Sequence, residues 1–216
     1  MAYEYEIRYL NGVDALPLQG VFDPDQIPEP WRGLQEARID QMPWGGDYRP
    51  DCRAREGWND HGIHVLMYAD EPEIRTEVLV TGGAVCTDSC LEFFLQPDIH
   101  SGLYLNCEVN PVGMTHLGLG DGRFGRMVIH TLPEGMNMTH SEHNGRWWAI
   151  SYTLPTEFIR EKLGAELMIN RAMKGNFYNC GDKTAHPHWL MFKPYDTEKP
   201  DFHRPEQFTD MTLTGI

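Results

Sequence analysis

What these 216 residues lack first is positive charge: 18 Lys and Arg stand against 32 Asp and Glu, a formal net charge of −14. A surface of that balance repels phosphate, which argues against nucleic acid and anionic membrane as main partners. No apolar run approaches the roughly 20 residues of a bilayer span. The opening MAYEYEIRYL has no basic region and no leader-like apolar stretch. Cysteine is scarce and odd in number, five without paired short spacings, so the thiols read as reduced rather than as a disulfide framework. Together these absences predict a cytoplasmic protein. Also missing are G-x-S-x-G, H-E-x-x-H and Walker-type loops, and with them the common signatures of acyl transfer, zinc proteolysis and phosphate binding.

What is present is alternation. From Ser89 to Gln96, Leu91, Phe93 and Leu95 fall on one face and Cys90, Glu92, Phe94 and Gln96 on the other. After a turn at 98–102 the pattern resumes, with Leu103, Leu105, Cys107 and Val109 opposed to Tyr104, Asn106, Glu108 and Asn110. A period of two marks half-buried antiparallel strands. If the apolar rows share a core, Glu92, Tyr104, Asn106, Glu108 and Asn110 gather on the opposite, outward face. A short third strand and the glycine-rich turn at 118–125, with Arg123 and Arg126 after it, complete this block.

Further strands are predicted at 3–9, 34–39, 63–68, 73–80, 126–131, 136–140, 146–154, 166–178, 188–192 and 208–213, with 42–51 a loop. Asn144-Gly145 is a hairpin signal before the 146–154 strand. One helix is expected at 156–164, with Thr156 as N-cap and Gly164 at its end. About eleven short strands and one helix predict a single all-β domain over 1–216, an antiparallel two-sheet β-sandwich.

Several blocks then resemble a known family. D-S-C-L-E-F-F at 88–94 and Y-L-N-C-E-V-N-P-V-G at 104–113 are similar to family-nine-like carbohydrate-binding domains, a branch of the DOMON-like sandwiches. So are G-D-G-R-F-G-R at 120–126, R-W-W at 146–148, G-N-F-Y-N-C-G-D-K-T at 175–184, H-P-H-W at 186–189 and P-D-F-H-R-P-E-Q-F at 200–208. The resemblance implies a jelly-roll-like sandwich that holds a mono- or oligosaccharide between aromatic side chains, with calcium fixing loops. Just before the acidic motif the family often carries Trp; here Val85-Cys86-Thr87 stands in that place.

Sugar recognition needs a flat apolar plate for the ring and planar polar groups for the hydroxyls. In 146–154, Trp148 shares a face with Ile150, Tyr152 and Leu154 and reads as core, which leaves Trp147 free to stack. Tyr178 and Trp189 are the other candidate plates. Glu92, in a strand among apolar neighbours, needs a partner, and Arg123 or Arg126 is nearest by chain logic. That set either addresses sugar hydroxyls or pins the turn to the sheet; Asn106 and Glu108 go with it in either case. Asp23, Asp25, Asp47 and Asp51 are the oxygen-bearing loop residues open to calcium. His186 and His188, with His61, His64, His140 or His143, fall short of a zinc signature. The expected function is non-catalytic saccharide binding. The alternatives are a glycoside-processing enzyme using carboxylates of the same groove, and a scaffold without a small ligand.

Overall fold

The computed structural model describes residues 3–215. Its strands are β1 (Glu4–Tyr9), β2 (Glu36–Arg38), β3 (Asp51–Asn59), β4 (Gly62–Asp70), β5 (Cys90–Gln96), β6 (Tyr104–Val109), β7 (Thr115–Gly120), β8 (Met127–Ile129), β9 (Thr139–His140), β10 (Trp147–Pro155), β11 (Ala172–Cys180), β12 (Trp189–Met191) and β13 (Thr209–Thr214), with one α-helix, α1 (Thr156–Leu163). Hydrogen bonds run in the order β8-β7-β6-β5-β11-β13-β1-β3-β4-β10-β9, with β12 added to β11 and β2 to β3. All pairs are antiparallel except those of β1, which lies parallel to both β13 and β3. The first and last strands thus join two antiparallel halves. The halves fold over one core that takes Leu91, Phe93, Leu105 and Phe177 from one side and Val65, Met67, Trp148 and Ile150 from the other. This is a β-sandwich. Among the described residues no helix is long and apolar enough to cross a membrane.

Alternation places these side chains. Phe93 stacks on Phe177 across the β5–β11 pair at 5.1 Å, and Tyr5 meets the same ring edge-on at 5.0 Å. Trp148 lies wholly in the core, as its position in the 146–154 pattern requires. α1 closes one end with Phe158, Ile159 and Leu163 buried. Gly164 adopts the left-handed conformation (φ +66°) and its N–H bonds Arg160 O at 3.1 Å, which stops the helix.

Three expectations are corrected. Thr156 is the first residue of α1 rather than its cap; Pro155 stands at the N-cap, and the Thr156 hydroxyl donates to Asp60 O at 3.0 Å. Residues 73–80 form no strand. The segment is held by the Asp88 carboxylate, which accepts from the N–H groups of Glu77 (3.1 Å) and Val78 (2.9 Å), and Leu79 and Val80 face solvent. Conversely, β3 was not foreseen, because its inward row of Cys52, Ala54, Glu56 and Trp58 contains small residues and a carboxyl. Glu56 is fully buried with neither carboxyl oxygen bonded, and burial pushes its pKa well above the carboxylate range.

The largest correction concerns the outward face of β5, β6 and β11. It is not open to solvent. Tyr195, Phe202 and Phe208, from the chain between β12 and β13, lie over Phe94, Tyr104 and Tyr178 as a second apolar layer. Phe208 meets the Tyr104 ring edge-on at 5.5 Å. Phe208→Ala should therefore lower the unfolding free energy by about 3–5 kcal/mol, the usual loss for a buried Phe, measured by urea titration.

Candidate functional site

The site follows from register. On β5 and β6, Glu92 stands directly opposite Glu108, and Phe94 opposite Asn106. On the flanks, β11 sets Tyr178 against Glu92, and β7 sets His116 against Glu108. Directly opposed side chains in an antiparallel pair have Cβ atoms about 4.5–5.5 Å apart. Two carboxyls are therefore neighbours on one face of the sheet, beside Tyr178 and His116.

Where the second layer ends, a cavity of about 330 Å³ opens over this pair. Glu92, Glu108, Phe94 and Cys180 line it from the sheet, with Cys86 from the turn before β5 and Trp189 and Asp182. Arg123, Asp201, Phe202 and His203 complete the rim. The turn after β11 shapes one wall: Asp182 N donates to Cys86 O (3.0 Å) and Lys183 N to Thr87 O (3.2 Å). Trp189 Nε1 donates to Asp182 Oδ1 at 2.8 Å, which fixes the indole plane. Arg123 reaches over from the glycine-rich turn and pairs with Asp201 at 2.7 Å.

Electrostatics follow from burial. Glu92 is held well above the ordinary carboxylate range by burial and by the facing Glu108; its carboxyl accepts from Cys180 Sγ at 2.9 Å. Burial raises Glu108 as well, with His116 acting against it. Each carboxyl of the pair therefore holds a proton more readily than a free glutamate would. His203 is pushed down to about 4, by burial first and then by Arg126 and Arg123, so it is neutral near pH 7. Its Nδ1 lies 2.8 Å from the Tyr104 hydroxyl.

Arg126 has another task. Its Nε and Nη2 donate to Asn106 Oδ1 at 2.9 and 2.7 Å, and its guanidinium lies 4.0 Å above the Tyr104 ring. Asn106 Nδ2 in turn donates to Glu108 Oε1 at 2.7 Å. The chain Arg126–Asn106–Glu108 orients one carboxyl of the pair. A side chain at Gly118, opposite Asn106, would come within 2.4 Å of Asn106 Oδ1, so this strand position has to be bare.

Glu92, Glu108, Arg123 and Trp189 therefore share one cavity, with Asn106 and Arg126 directly behind it. The expected pairing of Glu92 with Arg123 or Arg126 is not formed, because those arginines bond Asp201 and Asn106 instead. Tyr178 is not an exposed plate: it is fully buried, stacks on Phe202 at 4.1 Å and shares a 2.8 Å hydrogen bond with the Tyr195 hydroxyl. Trp147 lies elsewhere, against Tyr68 and in a cleft with Arg32, Arg53, Arg55 and Arg146. Asp23, Asp25 and Asp51 border that arginine-rich cleft, and Asp51 pairs with Arg53 at 2.5 Å. Sequence reasoning missed Asp182, Asp201, Phe202 and His203. They lie in the G-D-K-T and P-D-F-H-R-P blocks, whose patterns carry no period that would assign a direction.

Both carboxyls of the pair are raised in the fold, so the folded state holds protons more tightly than the unfolded chain. The stability this contributes is complete below the ordinary value of 4.5 and is lost as pH rises through the raised values. Glu92→Gln should thus gain urea midpoint over the parent as pH is taken from about 4 to about 8. A gap that stays constant over that range would contradict the buried-pair assignment.

A sequence model described as carbohydrate-binding family 9 matches residues 31–213. None of the curated proteins matches the chain. Among solved structures, a protein from Bacteroides uniformis, provisionally described as carbohydrate-binding, superposes with a TM-score of 0.75 at 22% identity, over 97% of this chain and 99% of the other. A family 9 carbohydrate-binding module from Caldicellulosiruptor kristjanssonii in complex with cellotriose superposes with a TM-score of 0.66 at 11% identity, over 99% of this chain and 95% of its own. The same figures hold for its complex with glucose, with 97% of that chain covered.

Proposed function

Since the chain belongs to carbohydrate-binding family 9, we propose that it binds saccharide without catalysis, in the cavity over Glu92 and Glu108. The observation that carries this reading is the combination in one cavity of an oriented indole, Trp189, with two opposed carboxyls and a guanidinium. The indole suits the C–H face of a sugar ring. The carboxyls accept from ring hydroxyls, and Arg123 donates. At about 330 Å³ the cavity is at the small end of ligand pockets, of a size for one ring or a chain end. Support for glucose-type ligands comes from the Caldicellulosiruptor module, whose complexes hold glucose and cellotriose.

The wall that the family often builds from Trp is Cys86 in this chain, so Phe202 and His203 on the opposite rim take the role of second wall in this reading. Asp182 and Asp201 add to the carboxyl pair, and among the lining residues Arg123 is the one arginine facing these four acids, which favours a neutral sugar over a uronic acid. The five unpaired thiols support a reducing compartment and hence the cytoplasm. Calcium, as a loop-fixing ion, remains part of the proposal, with Asp23, Asp25, Asp47 and Asp51 as its candidate residues.

Calorimetric titration with glucose, cellotriose and glucuronate, with calcium and with chelator, tests this. Glucose or cellotriose should bind, and glucuronate should bind more weakly at pH 7. Trp189→Ala should weaken binding by roughly tenfold or more, about 1.4 kcal/mol, whereas Trp147→Ala should leave it unchanged. No heat with any sugar would defeat the proposal. Release of product from aryl glycosides, lost in Glu92→Gln, would replace it with the enzymatic reading.

A further inference from the structure

At and beneath the cavity lies a cluster whose two thiols have no part in the saccharide reading. Cys90 on β5 and Cys180 on β11 stand directly opposite each other in register, on the face that carries Glu92. The two sulfurs and a Glu92 carboxyl oxygen all lie within 4.8 Å of one another, and all three residues are buried. Cys180 Sγ is 2.9 Å from Glu92 Oε1. Cys86, half-buried, lines the cavity beside them, and its carbonyl oxygen is 3.6 Å from Cys180 Sγ. No Lys or Arg pairs with Glu92 among the described residues, and Glu108 faces it as a second carboxyl. The spot is thus buried, rich in potential negative charge, and has no cation of its own.

Two thiols and one carboxylate form a donor set suited to a thiophilic divalent ion. A tetrahedral centre with sulfur at about 2.3 Å separates two such sulfurs by roughly 3.8 Å. Donors already within 4.8 Å reach that spacing by side-chain adjustment. A disulfide fits less well. Directly opposed strand positions set Cβ atoms about 4.5–5.5 Å apart, whereas disulfides have them near 3.8 Å.

We propose that Cys90, Cys180 and Glu92 bind zinc or a like thiophilic divalent ion, with the fourth coordination position turned toward Cys86 and the cavity. Binding displaces the two thiol protons, together with the proton on Glu92 when it carries one. Affinity therefore falls as the solution is acidified. Because Glu92 also lines the cavity, the occupied site changes saccharide affinity as well.

The test uses the whole chain, stripped with chelator under reducing conditions and then titrated with zinc chloride by calorimetry, and in parallel with cobalt(II) by absorption. One equivalent of zinc per chain is expected, together with thiolate-to-cobalt charge-transfer absorption. Cys180→Ser and Cys90→Ala, each checked for folding by circular dichroism, should abolish that absorption. Glu92→Gln should weaken zinc binding at least tenfold. Failure to bind either metal would overturn the proposal, as would binding that persists unchanged in a folded Cys180→Ser or Cys90→Ala protein. Loss of two titratable thiols to a Cys90–Cys180 disulfide in the stripped protein would also count against it. The metal titration contains no sugar, so its failure leaves the saccharide reading to be judged by its own calorimetry.

Discussion

The structure depends on one constraint of sheet geometry: in directly opposed strands, what one strand shows its neighbour must accept. β5 shows Glu92, and β6 answers with Glu108. Like charges so placed repel, and here they are buried as well, at 2% and 7% exposure. The surrounding fold makes this tolerable without a direct cationic partner for Glu92. The pair holds protons more tightly, Cys180 donates to one carboxyl, and the Arg126–Asn106 chain orients the other. A sheet evolved for stability alone would carry apolar residues in both positions. Retaining two carboxyls beneath an apolar cover is a local cost of the kind found at binding sites.

The cover explains why the site is a cavity rather than a polar surface. Tyr195, Phe202 and Phe208 shield most of the face, and the loop after β11 shields its far end. Between them the cover is incomplete, over Glu92 and Glu108. Trp189 stands at that opening because β12 pairs with the end of β11, with Cys180 opposite Trp189 in register. The indole, the thiols and the carboxyls are therefore placed by one set of strand registers, and the saccharide and metal readings draw on the same geometry.

Much of this was legible in the chain. Period-two runs at 89–96 and 103–110 assigned each side chain to its face, and the Trp147–Trp148 alternation separated a core indole from a half-buried one. Within the glycine-rich stretch the need for a bare position carried no signal of its own; Gly118 is bare because Asn106 faces it across the sheet. Other features carried no local signal. β3 alternates, but with Ala54 and a buried Glu56 where apolar bulk is expected. The exposed Leu79 and Val80 mimic a strand in a segment held by one aspartate. Above all, a polar row reads the same whether it faces water or a second layer. Its cover comes from residues about 100 positions further along the chain, such as His203 with Tyr104, |i−j| = 99. Tyr178 is another case: its alternation placed it on the correct face, and Tyr195 and Phe202, 17 and 24 positions further on, make that face interior.

The most direct test of the account is a crystal structure of the chain with cellotriose. The account predicts a terminal ring lying flat on the Trp189 indole with its hydroxyls on the Glu92 and Glu108 carboxyls and on Arg123. A ring seated instead in the arginine-rich cleft beside Trp147, with the cavity above the carboxyl pair empty, would contradict it.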